Sequence, residues 1–167
     1  MRTGVDIAAR GEREIVMTRV FDAPRRLVFD AWTKPELLMR WFGGPREWTL
    51  TACEIDLRVG GAYRFVTTRT DGKTMAWGGI YTEIAAPERL AFTEEFDVSW
   101  YAGGALITCL FTEENGRTSF ATINRYESAE ARDAVLRSPM EKGVAENYRR
   151  LDAFLAAEQT EPMKETP

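Results

Sequence analysis

The chain has 167 residues, 44% of them hydrophobic, with 22 Lys and Arg against 26 Asp and Glu, two Cys and no His. Without an imidazole it supplies no His general base, no His metal ligand and no histidine pH switch, and Cys53 and Cys109 are too few for a four-cysteine metal site. The net charge of −4 disfavours a surface built to neutralise nucleic-acid phosphates or an anionic membrane.

The opening stretch, MRTGVDIAARGERE, mixes Gly, charge and small residues with no long apolar run. It reads as neither a secretory signal nor a membrane span, and residues 1–13 are expected to form a flexible arm. EIVMTRVF then alternates like a strand covered on both faces. In PRRLVFDAWT the apolar residues recur at helical spacing, with Pro24 suited to a first turn. Thr33 and Glu36 read as a capping box opening a second short helix, which Gly43, Gly44 and Pro45 stop.

Residues 47–126 change texture. EWTLTACEI, AYRFVTTR, TMAWGGIYTEI, RLAFTEEF, ALITCLFTE and RTSFATINRY are rich in β-branched and aromatic residues, with turn signals between them. Six strands joined by short connections predict an antiparallel meander. Asn115 with Gly116 is the sharpest signal, a two-residue hairpin turn. Gly78 and Gly79 inside a strand imply a bulge or sharp bend. After Ser128 the period is helical again, and Ser138 with Pro139 restarts it, so the closing helix is expected over 139–157 and residues 158–167 as a tail. The expectation is one α+β domain over 14–157: a curved seven-stranded antiparallel sheet around a long carboxy-terminal helix, with two short helices after the first strand.

A bent sheet and a straight helix diverge, so their gap is filled by side chains or left as a pocket. Candidate lining residues are Trp41, Trp77, Tyr81, Phe96, Phe111, Phe120 and Tyr148, with Met140 and Val144 from the helix and Arg69, Tyr81 and Tyr148 as polar contributors. Core packing competes with ligand contact for each ring, because large rings dominate ordinary interiors too. The adjacent pairs Glu94 with Glu95 and Glu113 with Glu114 point to opposite strand faces, so neither makes the facing carboxylates of a glycosidase. An enzyme would instead need a buried carboxylate, such as Glu95, facing Tyr or Arg inside the hollow. Both Cys read as reduced fillers in a cytoplasmic chain. GGA at 60–62 and WGGIY at 77–81 lack the phosphate-loop spacings. YAGGA is expected to be a flexible turn that carries Tyr101 at the pocket mouth.

Three motifs in order, VFDAPRRLVFDAWTKPELLMRWFG, EIDLRVGGAYRF and SPMEKGVAENYRRLDAFLA, resemble the ATPase-activator-homologue (AHSA-like) branch of the START-related superfamily, SRPBCC. Pro24, Phe29, Ala31, Trp32, Thr33, Pro35, Trp41 and Gly43 match its amino-terminal signature. Asp56, Arg58, Gly60 and Gly61 match its DxRxGG turn, and Met140, Gly143, Leu151 and Leu155 its last helix. The resemblance implies a helix-grip fold with a hydrophobic cavity. The residue after the helix glycine is often Trp in the family; here it is Val144, which implies more room. Superfamily functions run from lipid carriage to polyketide cyclisation and chaperone stimulation, and fold does not choose among them.

The expected function is a cytoplasmic domain that holds a small or medium apolar molecule, with no metal, cofactor or covalent chemistry. One alternative is a cyclase or hydrolase-like enzyme in the same cavity; another is an interaction module acting on a chaperone ATPase. A homodimer through a strand edge or the short helices is a further expectation left open.

Overall fold

The computed structural model describes residues 4–160. Its strands are β1 (Asp6–Arg10), β2 (Glu14–Phe21), β3 (Trp48–Ile55), β4 (Ala62–Arg69), β5 (Thr74–Ala85), β6 (Arg89–Phe96), β7 (Ala105–Glu114) and β8 (Arg117–Tyr126). The helices are α1 (Arg25–Thr33), α2 (Pro35–Leu38), α3 (Ala129–Arg137) and α4 (Met140–Thr160). All neighbouring strands pair antiparallel in the order β1-β2-β8-β7-β6-β5-β4-β3. The six-strand meander is therefore present, β2 joins its β8 edge, and α4 lies in the concave side as the helix-grip expectation requires.

The sheet has eight strands, not seven. The additional one, β1, lies in the segment expected to be a flexible arm, and pairs with β2 from Asp6↔Thr18 to Arg10↔Glu14. Its side chains are mostly exposed, so no apolar alternation announces it; the backbone ladder holds it in place. Buried Arg132 secures the hairpin from α3, donating to Gly11 O at 3.1 Å and Glu14 O at 2.9 Å. At the other end α4 continues through Glu158 to Thr160, and Gln159 Nε2 donates to Asp22 O at 2.9 Å. Residues 1–3 and 161–167 of the expected arm and tail lie outside the described residues.

Thr33 and Glu36 do not form a capping box. Thr33 is the last residue of α1, and its hydroxyl donates back to Phe29 O at 2.9 Å. Lys34 precedes α2 without a side-chain cap, and Pro35 fills the position where no amide partner is needed. The DxRxGG segment is the β3–β4 turn: Asp56 pairs with Arg58 at 2.9 Å on the surface, and a Cβ on Gly61 would meet Asp56 O at 2.1 Å. Asn115 and Gly116 both take positive φ, 55° and 76°, and make the expected tight hairpin between β7 and β8.

Curvature comes from the β5–β6 ladder, where the register shifts between Tyr81 and Glu83. Gly79 lies so close to β6 that a Cβ there would stand 1.9 Å from Thr93 O. One side of α4 buries Gly143, Asn147, Tyr148, Leu151, Phe154 and Leu155, and an ion pair between Arg19 of β2 and Asp152 ties the helix to the sheet. Among the described residues no helix is long and apolar enough to cross a membrane.

Candidate functional site

Period-two alternation sends Leu90, Phe92, Glu94 and Phe96 of β6 and Phe120, Thr122, Asn124 and Tyr126 of β8 to the concave face. Toward β2, α1 and the C-terminal half of α4 that face is packed solid. Phe21, Phe111, Phe120 and Tyr148 interlock at centroid separations of 5.0–6.0 Å. Under β4 and β5, Tyr63, Tyr81, Phe92 and neighbouring residues leave a void of only about 10 Å³. Between these blocks a chamber of about 210 Å³ remains, lined by Trp77, Phe92, Phe96, Ile107, Met140, Val144 and Tyr148, among others.

The chamber has a neighbour toward the surface. A second hollow of about 360 Å³ lies between Gly43, Gly44, Pro45, Trp48, Met75 and the start of α4, and shares Phe42, Trp77, Phe96, Trp100, Met140, Val144 and Asn147 with the chamber. Its rim is fixed by one side chain: Asn147 Oδ1 accepts from Gly43 N at 3.0 Å and from Gly44 N at 2.7 Å. Gly143 lets α4 approach that loop, since a Cβ there would be 3.2 Å from Pro45 Cδ.

One wall of the chamber is polar. Glu94 and Tyr126 flank Ala105 in the ladder. Tyr101 donates its hydroxyl to Glu94 Oε1 at 3.1 Å. Burial pushes the Glu94 carboxyl up to about 7, against a smaller lowering by the Tyr101 hydrogen bond. Although the residue keeps intermediate exposure, its acid group lies among Phe92, Phe96, Ile107 and Cys109, where an ionised carboxylate is poorly solvated. Burial also raises the Tyr148 and Tyr126 phenols well above their ordinary range. Thr122 Oγ1, Asn124 Oδ1 and Trp32 Nε1 are buried without a protein hydrogen-bond partner, and all three residues line the chamber.

Of the residues singled out in the sequence, the fold gathers Trp77, Phe96, Met140, Val144 and Tyr148 around the chamber. Tyr81 sits at the packed end. Trp41 is in the core, its indole N–H donating to Ala31 O at 3.0 Å, and Phe111 packs against Phe29 and Phe120. Arg69 is outside, bound to Asp71 at 2.5 Å with its guanidinium over Trp48. Tyr101 is buried and held by Glu94, not free at the mouth, while Trp100 occupies the half-exposed rim. Glu95 is on the solvent face opposite Gly78; the carboxylate inside is Glu94. Glu94, Thr122 and Asn124 were not singled out in the sequence; the signal that points to them, once the register is known, is the alternation LxFxExF and FxTxNxY, which places polar residues in step with buried rings. Cys53 and Cys109 are both free thiols.

A larger hollow, about 850 Å³, lies over Gly78 and Gly79 and is also lined by Glu94, Ala105 and Tyr126. Its wall carries Arg64, ion-paired with Asp97, together with Arg13, Arg125, Glu95 and Glu127. Charges of both signs, at least one pair already satisfied, make it a solvated depression and not a ligand chamber.

Residues 22–156 match the family model described as Activator of Hsp90 ATPase homolog 1-like protein. No curated protein matches the chain. Among solved structures, a Rhodobacter sphaeroides protein is 33% identical, with 92% of this chain and 99% of that chain covered and a TM-score of 0.86. A Mycobacterium smegmatis protein is 25% identical over 90% and 95% of the two chains, TM-score 0.79. An AHSA1-like protein from Aeromonas hydrophila, 23% identical over 84% and 92%, TM-score 0.69, shares the fold.

Proposed function

We propose, for a chain that belongs to the family of Activator of Hsp90 ATPase homolog 1-like proteins, that it binds one small, largely apolar molecule between β6–β8 and α4. The observation that carries this reading is the 210 Å³ chamber with the 360 Å³ outer hollow beside it, the two sharing seven lining residues, four of them aromatic. Concave, mostly apolar space with a few fixed polar groups is the usual small-molecule site. Val144 lines both spaces, so a larger side chain at that position would fill part of each.

The test is saturable uptake of the neutral fluorophore N-phenyl-1-naphthylamine. The wild type takes up one equivalent, and Val144→Trp, which fills part of both spaces, loses that uptake while keeping the circular dichroism of the folded chain. No uptake by folded wild-type protein overturns the reading.

Glu94 supports a second reading, an enzyme in the same chamber. A carboxyl held near pH 7 and hydrogen-bonded to Tyr101 is suited to pass a proton to or from a bound molecule. Hydrolysis of uncharged aryl esters that Glu94→Gln abolishes, with fluorophore affinity unchanged, would favour it. Equal rates in both proteins would leave the binding role alone.

A further inference from the structure

Resting on the binding reading above, the inference concerns the charge of the guest. Asp56, Asp71, Asp97 and Glu146 each have an Arg partner. Among the described residues Glu94 has no basic partner: the Tyr101 hydroxyl donates to Oε1, and Oε2 takes no protein donor. Of the described residues that line the chamber, Glu94 alone carries a formal charge when ionised near neutral pH. Alternation turns it inward, since Phe92, Glu94 and Phe96 share one face of β6 while Glu95 lies on the other, opposite Gly78. The larger hollow also touches Glu94, but Glu95, Leu106 and Arg125 in that wall are exposed residues of the outward face.

A buried carboxylate without a cation is costly, and a cation that arrives with the guest removes the cost. Aromatic rings gather on the same wall. Phe96 is 5.2 Å from Trp77, 5.7 Å from Trp100 and 6.0 Å from Tyr101, and Tyr101 is 5.2 Å from Tyr126. Ring faces attract a cation and give an anion nothing. A bare metal ion does not fit, because it needs several ligands and the described residues hold no group of three or more metal-binding side chains. A neutral hydroxyl can donate to the acid but gains neither the charge attraction nor the ring contact. An anionic guest meets the acid as a like charge.

We infer that the chamber selects ring compounds bearing one ammonium group, which pairs with the Glu94 carboxylate while the apolar body lies against Trp77, Phe96 and Met140. Burial raises the free Glu94 carboxyl to about 7, so an ammonium bound below that pH displaces its proton, and one bound above it meets the ionised acid. The titratable groups that face Glu94 stay neutral across this range: burial raises Tyr63 of β4, Tyr101 between β6 and β7, Cys109 of β7, Tyr126 of β8 and Tyr148 of α4. The charged residues nearby, Arg13, Arg64, Glu95, Asp97, Arg125 and Glu127, line the larger hollow and not the chamber.

Isothermal titration calorimetry at pH 8 with 2-naphthylmethylamine, 2-naphthylmethanol and 2-naphthoate tests this. The expected result is that the amine binds at least about tenfold more tightly than the alcohol, with the carboxylate weakest. In Glu94→Gln the preference for the amine falls toward unity while affinity for the alcohol holds. A measurement that needs no variant is proton release by the wild type at pH 6, read in buffers of different ionisation enthalpy: about one proton leaves for each amine bound and none for the alcohol. Equal affinity for amine and alcohol, an undiminished preference in Glu94→Gln, or no proton release overturns the inference and leaves an apolar site. Tightest binding of the carboxylate overturns it as well. If the protein takes up N-phenyl-1-naphthylamine but none of the three compounds, the charge inference alone fails; absence of uptake of that fluorophore overturns the binding reading beneath it.

Discussion

Raising the pH from 4.5 to 8 should destabilise this protein, and Glu94 should be the cause. In the unfolded chain its carboxyl titrates near its ordinary 4.5; in the folded chain burial holds it at about 7. The folded state therefore keeps a proton that the unfolded state releases, and the stability contributed by Glu94 is full at or below pH 4.5, falls between 4.5 and 7, and is gone above. At about 1.4 kcal/mol for each pH unit between the two affinities, the loss is about 2–3 kcal/mol after allowance for the side chain's partial contact with solvent. The window is unusually clean. No His is present to titrate in it, burial pushes the Cys53 thiol up to about 11 and Cys109 higher, and the surface carboxylates Asp71, Asp97 and Glu146 are lowered by their Arg partners. Those three contribute stability that is lost only as pH falls through their depressed range. Urea unfolding at half-unit steps, compared with Glu94→Gln, measures the effect: the wild type should lose stability across the window and the variant should stay nearly flat. The same slope in both proteins would refute the placement of an uncompensated acid in the chamber.

Thr122→Val removes a buried hydroxyl that has no partner, so it should raise stability by about 1 kcal/mol, read as a melting-temperature increase of roughly 2–4 °C. Asn147→Ala strips the acceptor from Gly43 N and Gly44 N; it should cost about 2–4 kcal/mol in urea unfolding and speed amide exchange at those two residues. Gly79→Ala drives a methyl against Thr93 O at 1.9 Å and should cost at least about 3 kcal/mol, although alanine normally favours a strand over glycine. Both thiols should react slowly with a disulfide reagent at pH 8 in the folded protein and rapidly in urea, because their raised pKa values leave little thiolate.

Much of the fold was legible because its signals are local. β4, β6 and β8 run over the residues that alternation and turn chemistry assign to them, and Asn115 with Gly116 takes the two positive φ values that a tight hairpin demands. β1 was not legible, because a strand held by its ladder and by Arg132 from α3 carries no buried stripe of its own. The Thr33 and Glu36 spacing misled for a related reason: the hydroxyl at the end of α1 donates back to Phe29 O inside its own helix, and does not cap α2. At the site, the rings on α4 and β5 stood out by size. The polar wall did not, since whether Glu94 or Glu95 faces inward depends on the strand register, and a one-residue change reverses it.

The polar wall is also where the molecule departs from what stability alone would select. Leucine or valine at 94, 122 and 124 would satisfy the same alternation, remove an acid that burial penalises and two unpaired polar atoms, and close part of the chamber. Glu94, Thr122 and Asn124 all line the chamber, Glu94 the larger hollow as well, and the elements around them are otherwise locally consistent. These three lie together on the β6 and β8 side of the chamber. Local cost of this kind is what a binding cavity kept at the expense of stability would show, so the stabilising Thr122→Val change should raise the melting temperature and alter the uptake of N-phenyl-1-naphthylamine in the same variant.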